Sequence, residues 1–298
     1  MMKGILGKRV VRDNVAAYAF LAPTIVIIGL FVLIPIGFAV FLSVNKVTLL
    51  GGMNFEFVGL KNFARMFDDM KVGIALKNTA KYVAVVVPVQ TVLALILAAA
   101  LNSSIRGRDF FRSVYFLPTI TSSAVLTLIF VWILNNNGIL NQFLEMLHLP
   151  TRNWLNEPAV ALFGIMMMNI YSTAPGYMVI YLASMQDIPD DLYEAASIDG
   201  ANWWTKFTRI TVPLLKPVTF FIVVMGLIGC FQVFDQAFIV SRGDGGPNNS
   251  TLTVVLLIYQ YAFKLDNMGY ASALAFMLAF VIMVFTILQR TIFRDEKN

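Results

Sequence analysis

The sequence has few of the residues that metal sites and redox chemistry require. It contains one cysteine, Cys230, and one histidine, His148. A single cysteine excludes an internal disulfide, and one cysteine with one histidine cannot form a metal cluster. Cys230 lies in an apolar run, which favours a packed side chain over a reactive thiol. His148 lies among leucines and a proline, which argues against a catalytic role.

Motifs of enzymes are missing as well. No Gly-x-x-x-x-Gly-Lys-Ser/Thr loop is present, so we do not expect the chain to bind ATP phosphates in that way. The sequence has no His-Glu-x-x-His zinc motif and no Gly-x-Ser-x-Gly nucleophile motif. We therefore expect a protein that is not an enzyme and binds no cofactor itself. Any energy from ATP would come from another polypeptide.

Charge is scarce and apolar residues are abundant. Charged residues make up 13% of the chain and hydrophobic residues 58%, and the mean hydropathy is +0.75. A soluble domain averages about 25% charged residues. The composition therefore predicts an integral membrane protein. The net charge of +5 fits an excess of basic residues in cytoplasmic loops better than it fits binding to nucleic acid.

Six segments are long and apolar enough to cross the bilayer as helices, which takes about 20 residues each. The first segment follows basic residues as a signal peptide would, but it is too long for one, and we expect it to be retained. Residues 1–298 would then form a single, all-α transmembrane domain. The predicted spans are Ala16–Phe41, Val83–Leu101, Val114–Leu134, Ala159–Ala183, Pro217–Val240 and Ala271–Leu288.

The distribution of basic residues predicts the orientation of these spans. More than half of the lysines and arginines fall in the N-terminal segment, the loop Arg106–Arg112, the loop that contains Lys206 and Arg209, and the C-terminal segment. We therefore predict that both termini and residues 186–213 lie in the cytoplasm.

Residues 186–213 form a polar insert between two apolar segments. Pro189 has the fixed φ angle that suits the first turn of a helix, and acidic residues follow it, as the helix dipole favours. Gly200 suits the position just after a helix. The pattern predicts a short helix over residues 189–199, followed by a basic and aromatic segment, Asn202–Arg209.

Two interpretations of this helix remain open from the residues alone. The adjacent Ala195 and Ala196 would let a partner surface come close, and Glu194 would then pair with a basic group at the contact. An amphipathic helix lying on lipid headgroups explains the same residues.

The loop resembles the EAA loop of permease subunits in ATP-driven bacterial importers, over Gln186–Ala201 and Ile210–Leu215. Similar segments are spread over nearly the whole chain. Together they resemble the carbohydrate-uptake permeases of the binding-protein-dependent ABC class, in particular those of maltose and glycerol-phosphate importers. These further segments are Phe57–Phe63, Leu76–Thr79, Gly107–Arg112, Phe116–Pro118, Phe231–Asp235, Gly245–Pro247 and Gly269–Ala273.

The resemblance implies the type I ABC importer permease fold, with six transmembrane helices and a cytoplasmic coupling helix. It implies a bacterial inner-membrane complex with a second homologous permease, two ATPase subunits that hold ATP and magnesium, an extracytoplasmic solute-binding protein and a sugar. In the loop, Glu194 would pair with a basic residue of the ATPase, and Gly200 would let the chain turn. The residues expected to dock the ATPase are Tyr193, Glu194, Ala195, Ala196, Asp199 and Gly200.

Polar residues inside predicted spans suggest a path for the substrate, since such groups usually face a bundle interior or a wet cavity. In the fourth span, Pro175 and Gly176 are expected to loosen the helix. In the fifth span, the spacing of the polar residues places them on one helical face. Hydrogen bonding between helices explains the same residues. The residues predicted to line the path are Asn169, Tyr171, Tyr177, Gln232, Asp235 and Gln236.

Three other functions are less favoured. A glycerol phosphate or another polyol derivative would need the same architecture, but an anionic cargo would favour arginines within the spans, and there are none. An ion-driven secondary transporter would work without an ATPase. A membrane enzyme would need the nucleophile or metal motifs that the sequence lacks.

Overall fold

The computed structural model describes residues 14, 17–48, 54–103 and 107–294. The chain divides into two compact units. One unit comprises Met1–Arg65 and Tyr261–Ala273, and the other comprises Met66–Gln260 and Leu274–Asn298. The prediction of a single domain stays a prediction. Most of the predicted N-terminal cytoplasmic segment, the last four residues of the C-terminal one, the first residue of the predicted first span and Arg106 lie outside the described residues.

Helices make up most of the described chain, as the composition predicts. The chain also contains a short antiparallel hairpin that the sequence did not predict, in which Lys46 pairs with Glu56. Pi-helical turns follow α9 and α12. The elements are α1 (Ala17–Ser43), β1 (Asn45–Thr48), β2 (Asn54–Phe57), α2 (Lys61–Asp68), α3 (Met70–Asn102), α4 (Arg108–Ile120), α5 (Ser123–Ile133), α6 (Ile139–Met146), α7 (Ala161–Gln186), α8 (Asp190–Ile198), α9 (Trp203–Lys206), α10 (Lys216–Phe231), α11 (Asp235–Ser241), α12 (Val254–Tyr259) and α13 (Met268–Arg294).

Four helical segments of the described chain are long and apolar enough to cross a membrane: Ala17–Ser43, Met70–Asn102, Lys216–Ser241 and Met268–Thr291. A fifth is formed if α4 and α5, which meet at 99°, are taken as one bent span. The predicted fourth span corresponds to α7, which has 26 residues. Its polar residues make α7 less apolar than the other four segments.

Two spans that the sequence predicted as continuous are interrupted. The predicted span Val114–Leu134 breaks at Thr121 and Ser122. These two residues separate α4 from α5, and the chain changes direction there. Pro118 lies in the last turn before this break, and Thr121 donates its hydroxyl to Leu117 O at 2.9 Å. The predicted span Pro217–Val240 breaks over residues 232–234, between α10 and α11.

The fourth span shows the opposite result. The prediction that Pro175 and Gly176 loosen the helix is wrong, because α7 is continuous through both residues. In the preceding turn, Ser172 and Thr173 both donate to Asn169 O, at 2.9 and 2.8 Å. Membrane helices tolerate a proline because neighbouring groups can satisfy the carbonyl that it frees, which is Tyr171 O for Pro175.

The core of the larger unit is built on α3 and α7, which lie side by side over much of their length. Ala94, Ala98 and Leu101 near the end of α3 are buried against Met178–Met185 near the end of α7. The two helices are therefore parallel. In α10, Thr219 accepts a hydrogen bond from the Tyr181 hydroxyl at 2.9 Å, which fixes α10 to the same end of α7.

The bent pair α4–α5 follows the length of α7. Thr119 donates its hydroxyl to Ser172 O, at 3.2 Å, in the middle of α7. Leu134, just after α5, packs with Leu155, just before the start of α7. Since α3 and α7 run in the same direction, the chain between them must come back in the opposite direction. The bent pair provides this return.

The smaller unit is held together around a buried tyrosine. The Arg65 guanidinium lies 4.3 Å from the centre of the Tyr270 ring, and Tyr261 packs edge-on against the same ring at 4.7 Å. Nearby, Asn62 Nδ2 donates to Ser43 O and to Asn45 O, at 2.9 and 3.1 Å. These contacts fix the end of α1 and the start of β1 against α2.

Gly269 gives a stability test for this unit. A Cβ atom at this position would lie 2.1 Å from Asn45 O and 3.0 Å from Leu42 O, and both are backbone atoms. We expect Gly269→Ala to destabilise the protein by about 1–3 kcal/mol, the usual cost of overpacking. The measurement is thermal unfolding of the purified protein in detergent. Gly37→Ala is the control, because no atom lies within 4 Å of the added methyl group. Equal unfolding temperatures for the two variants would contradict the prediction.

Candidate docking loop and transmembrane groove

The predicted loop helix is present as α8, with bounds that differ by one residue at each end. Pro189 lies at the N-cap with an extended backbone rather than in the first turn, which corrects its predicted position. At the C-terminal end, Ala201 N donates to Ala196 O at 2.8 Å and Gly200 N donates to Ser197 O at 3.1 Å. This is a Schellman motif, and the φ of +77° at Gly200 explains why glycine occupies the position.

The second arm of the loop packs back onto α8. Asn202 caps α9 by accepting from Thr205 N at 2.8 Å. The hydroxyl groups of Tyr193 and Thr211 lie 2.8 Å apart, and Lys206 Nζ donates to Ser197 Oγ. Because these bonds join α8 to the segment that leads into α10, the loop forms one folded piece.

The outer surface of this piece combines acidic, small and large apolar side chains. Glu194, Ala195, Asp199 and Gly200 are exposed, and Ala196 is half-buried. In the described part of the chain Glu194 forms no salt bridge. Ile198 is 88% exposed, and two tryptophans that stack with Phe207 are also exposed. A surface with this much exposed apolar area is typical of contact with a protein or a membrane.

Three of the six residues predicted to line a substrate path meet in one groove. The groove has a volume of about 500 Å³ and lies between α7 and the break of the α4–α5 pair. Asn169 and Tyr177 line it from α7, and Gln236 lines it from α11. Gln236 is buried and donates to Ser123 Oγ at 3.2 Å, so its position depends on the first residue of α5.

The other three predicted residues do not line this groove. The Tyr171 ring is half-exposed and packs edge-on against Phe130, at 5.2 Å. The prediction of a common helical face for Gln232, Asp235 and Gln236 is wrong, because the helix breaks between the first and the second. Gln232 caps α10 and Asp235 begins α11, and both side chains are exposed.

Hydroxyl groups provide the remaining polar lining. For Thr121 and Ser123 in the predicted third span, the sequence favours hydroxyls that bond back to helix carbonyls over a place on the route, and the Thr121 hydroxyl does bond to Leu117 O. Gly176 also has a different role from the one predicted: a Cβ atom there would lie 3.1 Å from Thr119 Cγ2, so the glycine lets α4 approach α7. The hydroxyl residues of the groove are Thr119, Thr121, Ser123, Ser172 and Thr173.

Behind the groove lies a buried glutamine that the sequence analysis missed. Gln90 in α3 is 1% exposed, and its side-chain oxygen lies 2.7 Å from the Thr173 hydroxyl oxygen. Its Nε2 has no hydrogen-bond partner among the described residues, and a Cβ atom at Gly226 would lie 2.4 Å from it. Gln90 therefore fixes Thr173 from behind. An isolated amide in a long apolar segment is the signal that would have identified it.

The loop and the groove both lie within the part of the chain that is similar to known proteins. The family model for the binding-protein-dependent transport system inner membrane component matches residues 90–297. The lactose transport system permease protein LacF of Rhizobium radiobacter is 34% identical over 95% of this chain and 96% of its own length. The trehalose/maltose transport system permease protein MalF of Thermococcus litoralis is 30% identical over the full length of both.

Solved structures show the same fold. A chain of a bacterial alginate ABC transporter, in complex with an alginate pentasaccharide-bound periplasmic protein, superposes with a TM-score of 0.85 at 22% identity, covering 97% of this chain and 98% of that chain. With the match of the family model and the relatives at 30% identity or more, these findings confirm the resemblance seen in the sequence: the chain belongs to the family of binding-protein-dependent transport system inner membrane components, the permease subunits of ABC transporters.

Proposed function

We propose that this chain is the membrane-spanning subunit of an ATP-driven importer that moves a sugar, in particular an oligosaccharide, across the bacterial cytoplasmic membrane by alternating access. Relatives are named for lactose, for trehalose and maltose, and for arabino-oligosaccharides. The complex would contain a second homologous permease, two ATPase subunits that bind ATP and magnesium, and an extracytoplasmic solute-binding protein. The last of these is supported by the periplasmic protein in the alginate transporter complex.

The direction of the helices supports six membrane crossings. Four apolar segments and the bent pair account for five. We infer that α7 is the sixth, because it is 26 residues long and lies parallel to α3, with the bent pair returning between them. With residues 186–213 in the cytoplasm, as the basic residues predict, the N-terminal end of α7 lies on the outer side.

The observation that supports the docking role most is the exposed carboxylate of Glu194 on a helix fixed at both ends. A short helix with Ala195 exposed beside Glu194 allows a basic partner to come close. Tyr193, which contacts Thr211, faces the other way and joins the helix to the second arm. Movement imposed on α8 would therefore reach α7 through its C-terminal end and α10 through the second arm.

The groove supports a hydroxyl-rich cargo. Amide and hydroxyl groups both donate and accept hydrogen bonds, as sugar hydroxyls require. Tyr177 adds an aromatic ring to the lining. Among the described residues no basic side chain lines the groove, so its chemistry favours a neutral sugar over a glycerol phosphate. Tyr171, Gln232 and Asp235 would contribute elsewhere, for example at the surface of a second permease.

The docking role predicts that Glu194→Ala and Gly200→Pro abolish sugar uptake while the protein still inserts. The first removes the exposed carboxylate. The second is incompatible with a φ of +77° and removes the N–H that bonds to Ser197 O. Uptake by vesicles and co-purification of the ATPase are the measurements. Glu145→Ala is the control, because Glu145 is an exposed glutamate on α6. Normal uptake by both loop variants would exclude the docking role.

The groove predicts a difference between two glutamines. We expect Gln236→Leu to lower the apparent affinity for the sugar roughly 2- to 12-fold, the effect of one hydrogen bond of about 0.5–1.5 kcal/mol. Gln232→Leu is the matched control and should leave the affinity unchanged, since Gln232 does not line the groove. The concentration dependence of uptake measures both. A larger effect of Gln232→Leu would show that the path follows a different surface.

Dependence on ATP separates the proposal from an ion-driven transporter. Vesicles that contain the complete complex should accumulate sugar only with ATP inside. Vesicles that contain this chain alone should accumulate none, with or without an ion gradient, because the sequence has no phosphate-binding loop. Accumulation by the chain alone, driven by an ion gradient, would refute the proposal.

A further inference from the structure

A second and larger polar cavity lies at the opposite end of α7 from the docking loop. Its volume is about 570 Å³, within the range of about 300–1,000 Å³ that is typical of ligand sites. Asparagine side chains from two segments surround it: Asn135 and Asn136 follow α5, and Asn153 and Asn156 precede α7. Arg242 adds a guanidinium group after α11. We call it the outer cavity.

The outer cavity and the groove share two helices. In α5, Ser123 and Leu126 line the groove, and Leu128 and Val131 line the outer cavity. In α11, Gln236 lines the groove, and residues 239–241 line the outer cavity. At a rise of about 1.5 Å per residue, the six residues from Gln236 to Arg242 span roughly 9 Å. The two spaces therefore follow each other along the same pair of helices.

The chemistry of the outer cavity suits a saccharide unit. Each carboxamide offers two donors and an acceptor, and no carboxylate belongs to the lining. Asn153 and Asn156 hydrogen-bond to each other at 2.9 Å, which presents them as a pair. Leu128, Val131 and Leu155 also line the cavity and supply apolar surface for the C–H face of a sugar ring.

The two asparagine pairs of the outer cavity are also fixed relative to each other. Asn141 Nδ2 donates to Arg152 O at 2.9 Å, and its Oδ1 accepts from Trp154 Nε1 at 2.9 Å. Asn141 is 1% exposed, so these bonds are shielded from water. They join α6, which follows the first asparagine pair, to the segment that contains the second. The two pairs thus keep a fixed separation without a ligand.

We propose that the outer cavity is a second saccharide subsite, occupied by the sugar before or while another unit fills the groove. This inference rests on the proposed function. It explains why a cavity lined by amides lies in line with the groove, and it assigns to the outer ends of α5 and α11 a role in binding oligosaccharides.

The test uses thiol labelling of the complete complex in vesicles. Cys230 is the only cysteine of this chain, so a Cys230→Ala background allows one new thiol at a time to be placed in it. Asn136→Cys reports on the outer cavity, Gln236→Cys reports on the groove, and Asn137→Cys is the control, since Asn137 is exposed outside the cavity lining. The reagent is a small membrane-impermeant thiosulfonate. The sugars tried are lactose, maltose, trehalose and an arabino-oligosaccharide, and the one taken up by the parent complex is used.

At ten times the half-saturating concentration, the sugar should slow labelling of Asn136→Cys about tenfold, because only the unoccupied fraction reacts. Labelling of Asn137→Cys should not change. Protection of Gln236→Cys without protection of Asn136→Cys would overturn the subsite and leave the proposed function intact. Protection of Asn136→Cys by the sugar-free binding protein alone would make the cavity a protein-docking surface instead. A parent complex that takes up none of the sugars would overturn both proposals.

Discussion

Hydrocarbon offers no hydrogen-bond partner, so a helix inside a membrane can stop only where the protein itself satisfies the freed backbone groups. That constraint places the two interruptions of this chain. Between α10 and α11, the freed Val233 O accepts from Thr253 Oγ1 at 3.1 Å, and Thr253 is buried. At the end of α4, the Thr121 hydroxyl bonds back to Leu117 O. Each interruption is thus satisfied from within, and the groove lies beside the break between α4 and α5.

Continuous and interrupted helices have different roles in this arrangement. α3 and α7 pack closely through small side chains, such as Ala94 and Ala98, and form the uninterrupted part of the core. α4, α5 and α11 flank the interruptions and share the polar lining of the groove with α7. Gln90 belongs to the continuous part but supports a groove residue, Thr173, from behind. The Gln90 Nε2 atom has no partner among the described residues, which is costly for a buried group, and a shift of α7 or α10 against α3 would change the hydrogen bonds of this amide.

The sequence predicted the loop better than the groove, for a physical reason. The helix of the loop depends on local chemistry, a proline before it and a glycine with φ above zero after it, and both were visible within twelve residues. The interruptions depend on which neighbouring groups form hydrogen bonds with the freed backbone, and a hydropathy profile contains no information on these contacts. A regular helix was assumed through residues 232–236, which placed Gln232, Asp235 and Gln236 on one face, whereas of these three only Gln236 lines the groove. Gln90 was missed because no nearby residue forms a pattern with it.

The groove divides into two walls, and this division suggests how the loop would open it. Thr119 bonds to Ser172 O and packs on Gly176, so α4 moves with α7. Gln236 bonds to Ser123, so α11 moves with α5. The break at Thr121–Ser122 lies between the two pairs, where a hinge would have to lie. A force on α8 reaches α7 at Gln186, about 25 Å along the helix from Asn169. Rotation of α7 would separate Asn169 and Tyr177 from Gln236 without breaking either of the two hydrogen bonds that hold the walls.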